Sequence, residues 1–445
     1  MSVEQRYEEI THCNRCGFCQ TACPIFRATG HEGGVARGRV ALLRALVEKR
    51  IEWDDELKEP LFNCLLCGAC TVNCFPGVAT ADLLVDARAE YLQRVGREKL
   101  HRLLFNHLLP YPKRVRLAAR AVGLSLKARL PNVAGALGLL RAFGRDFPRA
   151  HKIVQRLPDQ AFRDKFRPGV VEGRGDLRIG YFVGCGMDAL LPDAAEATLR
   201  TLRTLGRTVE ILENCCCGLP AITYGDIPAA RAMAEKNLRL LEPGQFDVIV
   251  TDCSSCAAFL KKYPTLFVQD DPHRPLAEAQ AARVRDIVQL LPTPLSGGVL
   301  PLCVDSGPSG GSHWLRPGCP AGGNPLAVNP GEKLIATYHD PCHACRSQGL
   351  VREPREILQS LPGVEYRELP EADWCCGGAG SYAAYHYDLS LQVLDRKLDN
   401  VQRTGANLLV TSCPACITHL SFGIHRRGLP VRVCHISEIA APADY

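Results

Sequence analysis

Short apolar runs alternate with stretches of helical period through the second half of the chain. The runs at 178–185, 208–212 and 246–253 are rich in Ile, Val, Leu, Phe and Tyr, and 194–205 and 229–241 between them carry apolar residues at helical spacing. The pattern then recurs, with runs at 334–339, 365–369 and 407–413 and a helical stretch at 389–402. Strands alternating with helices connect in parallel, so the pattern predicts two α/β units built on parallel sheets. Sites in such sheets form beyond the carboxyl ends of the strands. The first half reads differently. Residues 36–49 place Val40, Leu43, Leu46 and Val47 on one helical face, with Arg37, Arg39, Arg44 and Lys49 on the solvent side, and 81–95 reads as another helix. The expected fold is α+β and multidomain. It has a helical domain at 1–95, a basic helical connector at 96–175, α/β units at 176–295 and 333–445, and an insertion at 296–332 between them.

In the connector Arg97, Lys99, Arg102, Lys113, Arg114, Arg116, Arg120, Lys127 and Arg129 alternate with Leu103, Leu104, Leu108, Val115 and Leu117. Pro110, Pro112 and Pro131 break it into short helices. Charge runs are usually solvated faces, and this one reads as such. The sharper alternative is a basic amphipathic surface resting on acidic lipid headgroups. The insertion is dominated by Gly, Pro and Ser and reads as a loop; its Cys303, His313 and Cys319 are irregularly spaced.

Composition changes the picture at one residue type. The 445 residues hold 23 cysteines. Residues 1–10 are polar and acidic, without the apolar core of a signal peptide, so the thiols are expected in a reducing cytosol, where clustered cysteine reads as metal or redox chemistry. No apolar run approaches the roughly 18 residues a membrane helix needs. The formal charge of +6 counts every cysteine as neutral, and the usual signatures of a nucleic-acid partner are absent.

Eight cysteines fall in two runs, Cys13, Cys16, Cys19, Cys23 and Cys64, Cys67, Cys70, Cys74, each spaced C-x2-C-x2-C-x3-C. That run holds [4Fe–4S] cubanes, and its fourth cysteine ligates the partner cluster. Cys13, Cys16, Cys19 and Cys74 are therefore expected to hold one cubane, and Cys64, Cys67, Cys70 and Cys23 the other. Zinc also takes sites of four cysteines. It needs neither this run nor the proline after it, which is present at Cys23-Pro24 and displaced by Phe75 after Cys74.

Ten more cysteines repeat across the α/β units. Cys185, Cys216, Cys217, Cys253 and Cys256 are matched by Cys342, Cys375, Cys376, Cys413 and Cys416. The intervals are 30 and 35 residues in the first set and 32 and 36 in the second. Five thiols exceed the needs of one zinc or one cubane. These units resemble the CCG cysteine-rich domains of heterodisulfide reductase, whose five-cysteine sets are associated with non-cubane [4Fe–4S] clusters. A two-cubane ferredoxin domain joined to two CCG domains resembles the glycolate oxidase iron–sulfur subunit family. Lactate-utilisation iron–sulfur proteins and the single-chain form of the heterodisulfide reductase iron–sulfur subunits share that layout. Residues 13–39 and 338–343 look most like the glycolate oxidase type.

The resemblance implies two cubanes, one or two non-cubane clusters and an electron-transfer role. No G-x-G-x-x-G follows a strand, so a separate flavoprotein (FAD) subunit is expected to oxidise glycolate, lactate or a similar 2-hydroxy acid. A quinone or another acceptor would take the electrons. The implied location is cytoplasmic, with peripheral contact on the membrane face an option. The alternative is a heterodisulfide reductase-like subunit whose CCG clusters cleave a disulfide. Outside the matched cysteines, Cys215 could replace Cys216 as a ligand, and His339 and His343 could tune a cluster or cap backbone. Cys345 and Cys434 have no assigned role.

Overall fold

The computed structural model describes residues 2–154, 156–242, 244–291 and 334–441. Cys303, His313 and Cys319 lie outside the described residues. The α+β reading holds. The first sheet is β1 (Gly169–Glu172), β2 (Leu177–Tyr181), β3 (Gly206–Ile211), β4 (Val248–Thr251) and β5 (Val284–Asp286), in the order β1-β3-β2-β4-β5. The second is β6 (Leu334–Tyr338), β7 (Val364–Tyr366), β8 (Leu408–Thr411) and β9 (Arg432–His435), in the order β7-β6-β8-β9. Without β1 the two orders are the same, and every pairing within them is parallel. β1 is antiparallel to β3 and comes from the stretch read as connector. The sequence pattern missed β1, β5 and β9, which are only three or four residues long.

The two units face each other reciprocally. Helix Ser254–Lys261 packs on Cys342–Gln348, and Pro414–Arg426 packs on Cys185–Leu190. The backbone N–H of Ser254 donates to Ser412 O at 3.1 Å. The reciprocal donor would be residue 414, but Pro414 has no N–H. His435 supplies the missing bond: its Nε2 lies 2.8 Å from Asp252 O, while its Nδ1 accepts from the Ser437 N–H at 3.2 Å. These partners require the neutral Nε2–H tautomer, and burial lowers the His435 pKa to about 4.

The helical domain is built on Ala36–Val47 and Thr80–Arg94, with Val40, Leu43, Leu83, Leu84 and Ala87 at its core. Arg39 departs from the expected solvent face: it is buried. Its Nε donates to Pro60 O at 2.7 Å and its Nη2 to Asn63 O. Arg88, also buried, donates to Leu61 O and Cys64 O at 2.9 Å each, and across to Thr223 O of the first α/β unit. The end of helix Lys58–Phe62 leaves carbonyls without helical partners, and these two guanidiniums satisfy them. Helical periodicity could not anticipate this, because the partners lie on another element.

His435 generates a pH test. Its folded pKa, about 4, lies below the unfolded value near 6.5. The stability it contributes is therefore full above pH 6.5 and is lost as pH falls through the folded value, about 3 kcal/mol in all. His435→Gln keeps a donor toward Asp252 O without the titration. Chemical unfolding between pH 7 and 4 should give a flatter stability profile for His435→Gln than for wild type; equal slopes would show that His435 does not set this dependence.

Candidate metal centres

The matched cysteines sit where parallel sheets place sites. Cys185 and Cys342 each lie four residues beyond the last residue of their strands, β2 and β6, and begin helices. Cys253 and Cys413 each lie two residues beyond β4 and β8 and cap helices. The Cys216-Cys217 and Cys375-Cys376 pairs enter the same space on turns closed by Gly218 and Gly377, at φ +97° and +84°. A Cβ on Gly377 would meet Ser390 O at 2.6 Å, so this turn admits only glycine.

Sequence reasoning missed the polar frame around the first set. Arg163 is buried and donates to Val183 O and Asn214 O at 2.9 Å each, fixing the segments ahead of Cys185 and Cys216. Tyr263 Oη donates to Cys217 O at 2.7 Å. Asn237 holds Cys215: its Oδ1 accepts from the Cys215 N–H at 3.0 Å and lies 3.3 Å from Cys215 Sγ. That sulfur is also 3.6 Å from Met233 O, so Cys215 is engaged with this frame. Cys345 Sγ lies 3.9 Å from Cys342 O, and Cys434 is buried in the core of the units.

The helical domain holds two hollows. One, of about 370 Å³, is lined by Cys13, Cys16, Cys19, Cys70 and Cys74. The other, of about 400 Å³, is lined by Cys23, Cys64, Cys67 and Cys70. Each hollow thus joins cysteines of both runs. Arg15 and Leu66, two residues beyond the first cysteine of each run, share a left-handed backbone at φ 54° and 48°. The two loops curl alike.

Thiols continue from these hollows into the α/β units. Cys67 meets Cys375, which also meets Cys342 and Cys376. Cys376 Sγ is 3.5 Å from Cys416 Sγ, and Cys416 meets Cys413. Cys413 meets Cys253 of the first unit, and Cys256 joins Cys253 to Cys217. Cys216 joins Cys217 to Cys185, whose sulfur is 3.9 Å away. The second unit therefore lies between the helical domain and the first unit. Arg346 Nη1 donates to Cys67 O at 3.2 Å, and Ile25, Val35 and Leu65 pack with Trp374, Tyr382 and Val393, which seats the helical domain on the second unit.

All cysteines among the described residues are free thiols. Burial pushes Cys23 up to about 11 and raises Cys70. In the α/β sets one thiol is lowered by its neighbours' hydrogen bonds: Cys217 to about 5 by Cys216 and Cys256, Cys376 by Cys375 and Cys416. Their partners Cys216, Cys256, Cys375 and Cys416 are raised by thiol hydrogen bonding and burial. Each set therefore yields one proton readily and resists losing the next. A bound cation removes that resistance, because metal ligation deprotonates thiols outright. Soft, carboxylate-free sets of this kind suit iron–sulfur groups.

Comparison with known proteins agrees. A family model for a cysteine-rich (CCG) domain matches residues 179–261 and 336–421, and one for a 4Fe-4S dicluster domain matches residues 9–78. The "Probable glycolate oxidase iron-sulfur subunit" of Bacillus subtilis is 29% identical over 446 residues, 98% of this chain and 94% of that protein. The glycolate oxidase iron-sulfur subunit of Escherichia coli is 28% identical over 418 residues, 92% of this chain and 89% of that protein. A fumarate reductase (CoM/CoB) subunit of Methanothermobacter marburgensis is 30% identical over 298 residues, 65% of this chain and 52% of that protein. With a dicluster domain followed by two cysteine-rich units, aligned over almost its whole length, the chain belongs to the glycolate oxidase iron–sulfur subunit family.

Proposed function

We propose that this chain carries electrons from a flavoprotein that oxidises glycolate, lactate or a similar 2-hydroxy acid to a quinone or another acceptor. The observation that carries the reading is the unbroken row of thiols from the helical domain through the second α/β unit to the first. Iron–sulfur groups held in these sets would supply one-electron carriers. The chain's own residues space the sets and shield them from water. We assign one cubane to Cys13, Cys16, Cys19 and Cys74 and the other to Cys23, Cys64, Cys67 and Cys70. The linings of the two hollows support this crossed pairing. We assign one non-cubane group to Cys185, Cys216, Cys217, Cys253 and Cys256, and another to Cys342, Cys375, Cys376, Cys413 and Cys416.

A second feature supports a peripheral seat on a membrane. Helix Pro112–Lys127 buries none of its residues. Leu117, Leu124 and Leu137 are 67%, 68% and 68% exposed, and Leu130, Val133, Leu139 and Phe143 are exposed beside them. Residues 99–145 carry ten lysines and arginines and no carboxylate. The solvated basic face expected of the connector is therefore joined to an exposed apolar one. Among the described residues no helix is long and apolar enough to cross a membrane. Apolar side chains set among unopposed cations suit the interface of an acidic bilayer, where a lipid-soluble quinone would be met.

The crossed pairing predicts that Cys23→Ala removes the paramagnetic signal of the Cys64, Cys67, Cys70 group and spares that of the Cys13 set, with Cys74→Ala doing the reverse. Loss of the signal nearest in sequence would show the pairing to be wrong.

For the function, anaerobic protein mixed with a flavoprotein of the 2-hydroxy-acid type should bleach in the visible when glycolate or lactate is added. Cys413→Ser should stop quinone reduction while the cubanes still become reduced. Cleavage of a disulfide by the chemically reduced chain alone would overturn the conduit in favour of disulfide chemistry at the cysteine-rich units.

For the surface, the chain should sediment with vesicles containing phosphatidylserine and not with phosphatidylcholine vesicles. Replacing Arg129, Arg141 and Arg145 with alanine should weaken binding about 100-fold, from about 1 kcal/mol per cation. Equal binding to both vesicles, or to neither, would remove the membrane from the proposal.

A further inference from the structure

The two cysteine sets match in spacing but not in their surroundings. Three residues before Cys342 stands His339; three residues before Cys185 stands Phe182. Each directly follows its strand, β6 or β2, and each is buried. His339 is fixed by its backbone, whose N–H donates to Val410 O and whose carbonyl accepts from Thr411 Oγ1, both at 2.9 Å. Neither ring nitrogen has an oxygen or nitrogen partner among the described residues. One of them lies with Cys376 Sγ and Cys416 Sγ in a group whose atoms are all within 4.8 Å of one another. The other histidines of the site are engaged: His343 Nδ1 is 3.1 Å from Ser255 Oγ, and His419 Nε2 is 3.1 Å from Ser390 Oγ.

A buried imidazole without a partner is costly and calls for an explanation. Neutral thiols are poor acceptors, whereas metal-bound thiolate sulfur accepts well. Such bonds draw electron density from the metal group and favour its reduced form. We propose that His339 is a sixth functional residue of the second set, its ring N–H donating to the metal-bound sulfur of Cys376 or Cys416. The donor raises the reduction potential of that site above that of the first set, where Phe182 has nothing to donate. The inference rests on the reading that both sets hold iron–sulfur groups.

The test uses the full chain, purified anaerobically, as wild type, His339→Phe and His339→Gln. Iron and acid-labile sulfide are measured, and each signal is titrated by potentiometry with electron paramagnetic resonance detection. With His339→Phe, iron content should hold and one non-cubane signal should move to lower midpoint potential, the others staying in place. His339→Gln, which retains an N–H donor, should fall between. Unchanged midpoints at full iron content would make His339 a space-filling residue and overturn the proposal. Loss of that site's iron in both variants would also overturn it, by making His339 a ligand to iron. If His339→Phe alone loses iron, the midpoint of His339→Gln decides by the same criterion. Wild-type iron sufficient only for the dicluster domain would overturn the parent reading and this one with it.

Discussion

A thiolate buried among other thiolates needs a cation beside it, and this fold buries a continuous row of them. Much of the architecture answers that requirement. Parallel strands end at the row, so helix N-termini open toward it. Glycine turns let the paired cysteines approach without a Cβ in the way. Buried or nearly buried guanidiniums surround the sets: Arg39 and Arg88 at the backbone around Cys64, Arg346 at Cys67 and Arg163 beside the Cys185 loop. Each is tied to main-chain carbonyls, so its charge is fixed in place. Together they oppose the negative charge that thiolate-bound metal groups carry.

Repetition explains the frame, and departures from it mark where the two units differ. The same strand order and the same offsets of cysteine from strand end recur in both. At their mutual contact Pro414 replaces Ser254, and the lost donor is restored by His435 from a different element. The buried ring of Tyr181 bonds Asp252 at 2.5 Å, whereas Tyr338 bonds Ser412 at 2.9 Å. Phe182 and His339 differ in the same layer. The apolar scaffold is shared, and the divergence is concentrated in polar groups near the sulfurs.

The cysteine pattern made the metal chemistry legible because ligands to one group are close in sequence or repeat at fixed intervals. Periodicity located the long helices and the central strands for the same local reason. It failed for β1, β5 and β9, too short to show a period, and for Arg39, whose position on its helix suggested solvent but whose partners lie on the segment before Cys64. It also could not weigh Arg163, Asn214 or Asn237, ordinary polar residues whose roles exist only once distant loops meet. The spatial order of the sets was equally hidden, since nothing in a spacing says which unit the helical domain will choose.

That order has a consequence for how the molecule is made. A ribosome releases the helical domain first, the first α/β unit next and the second last. The unit in the middle of the row is therefore the final one to leave the exit tunnel. Until it arrives, Cys253 lacks Cys413 and Cys67 lacks Cys375, and both ends of the row face solvent. Burial of the sulfur is thus a post-translational event for the whole chain at once. A nascent protein of this design must be guarded from oxygen, and from premature thiol oxidation, until its second α/β unit has folded.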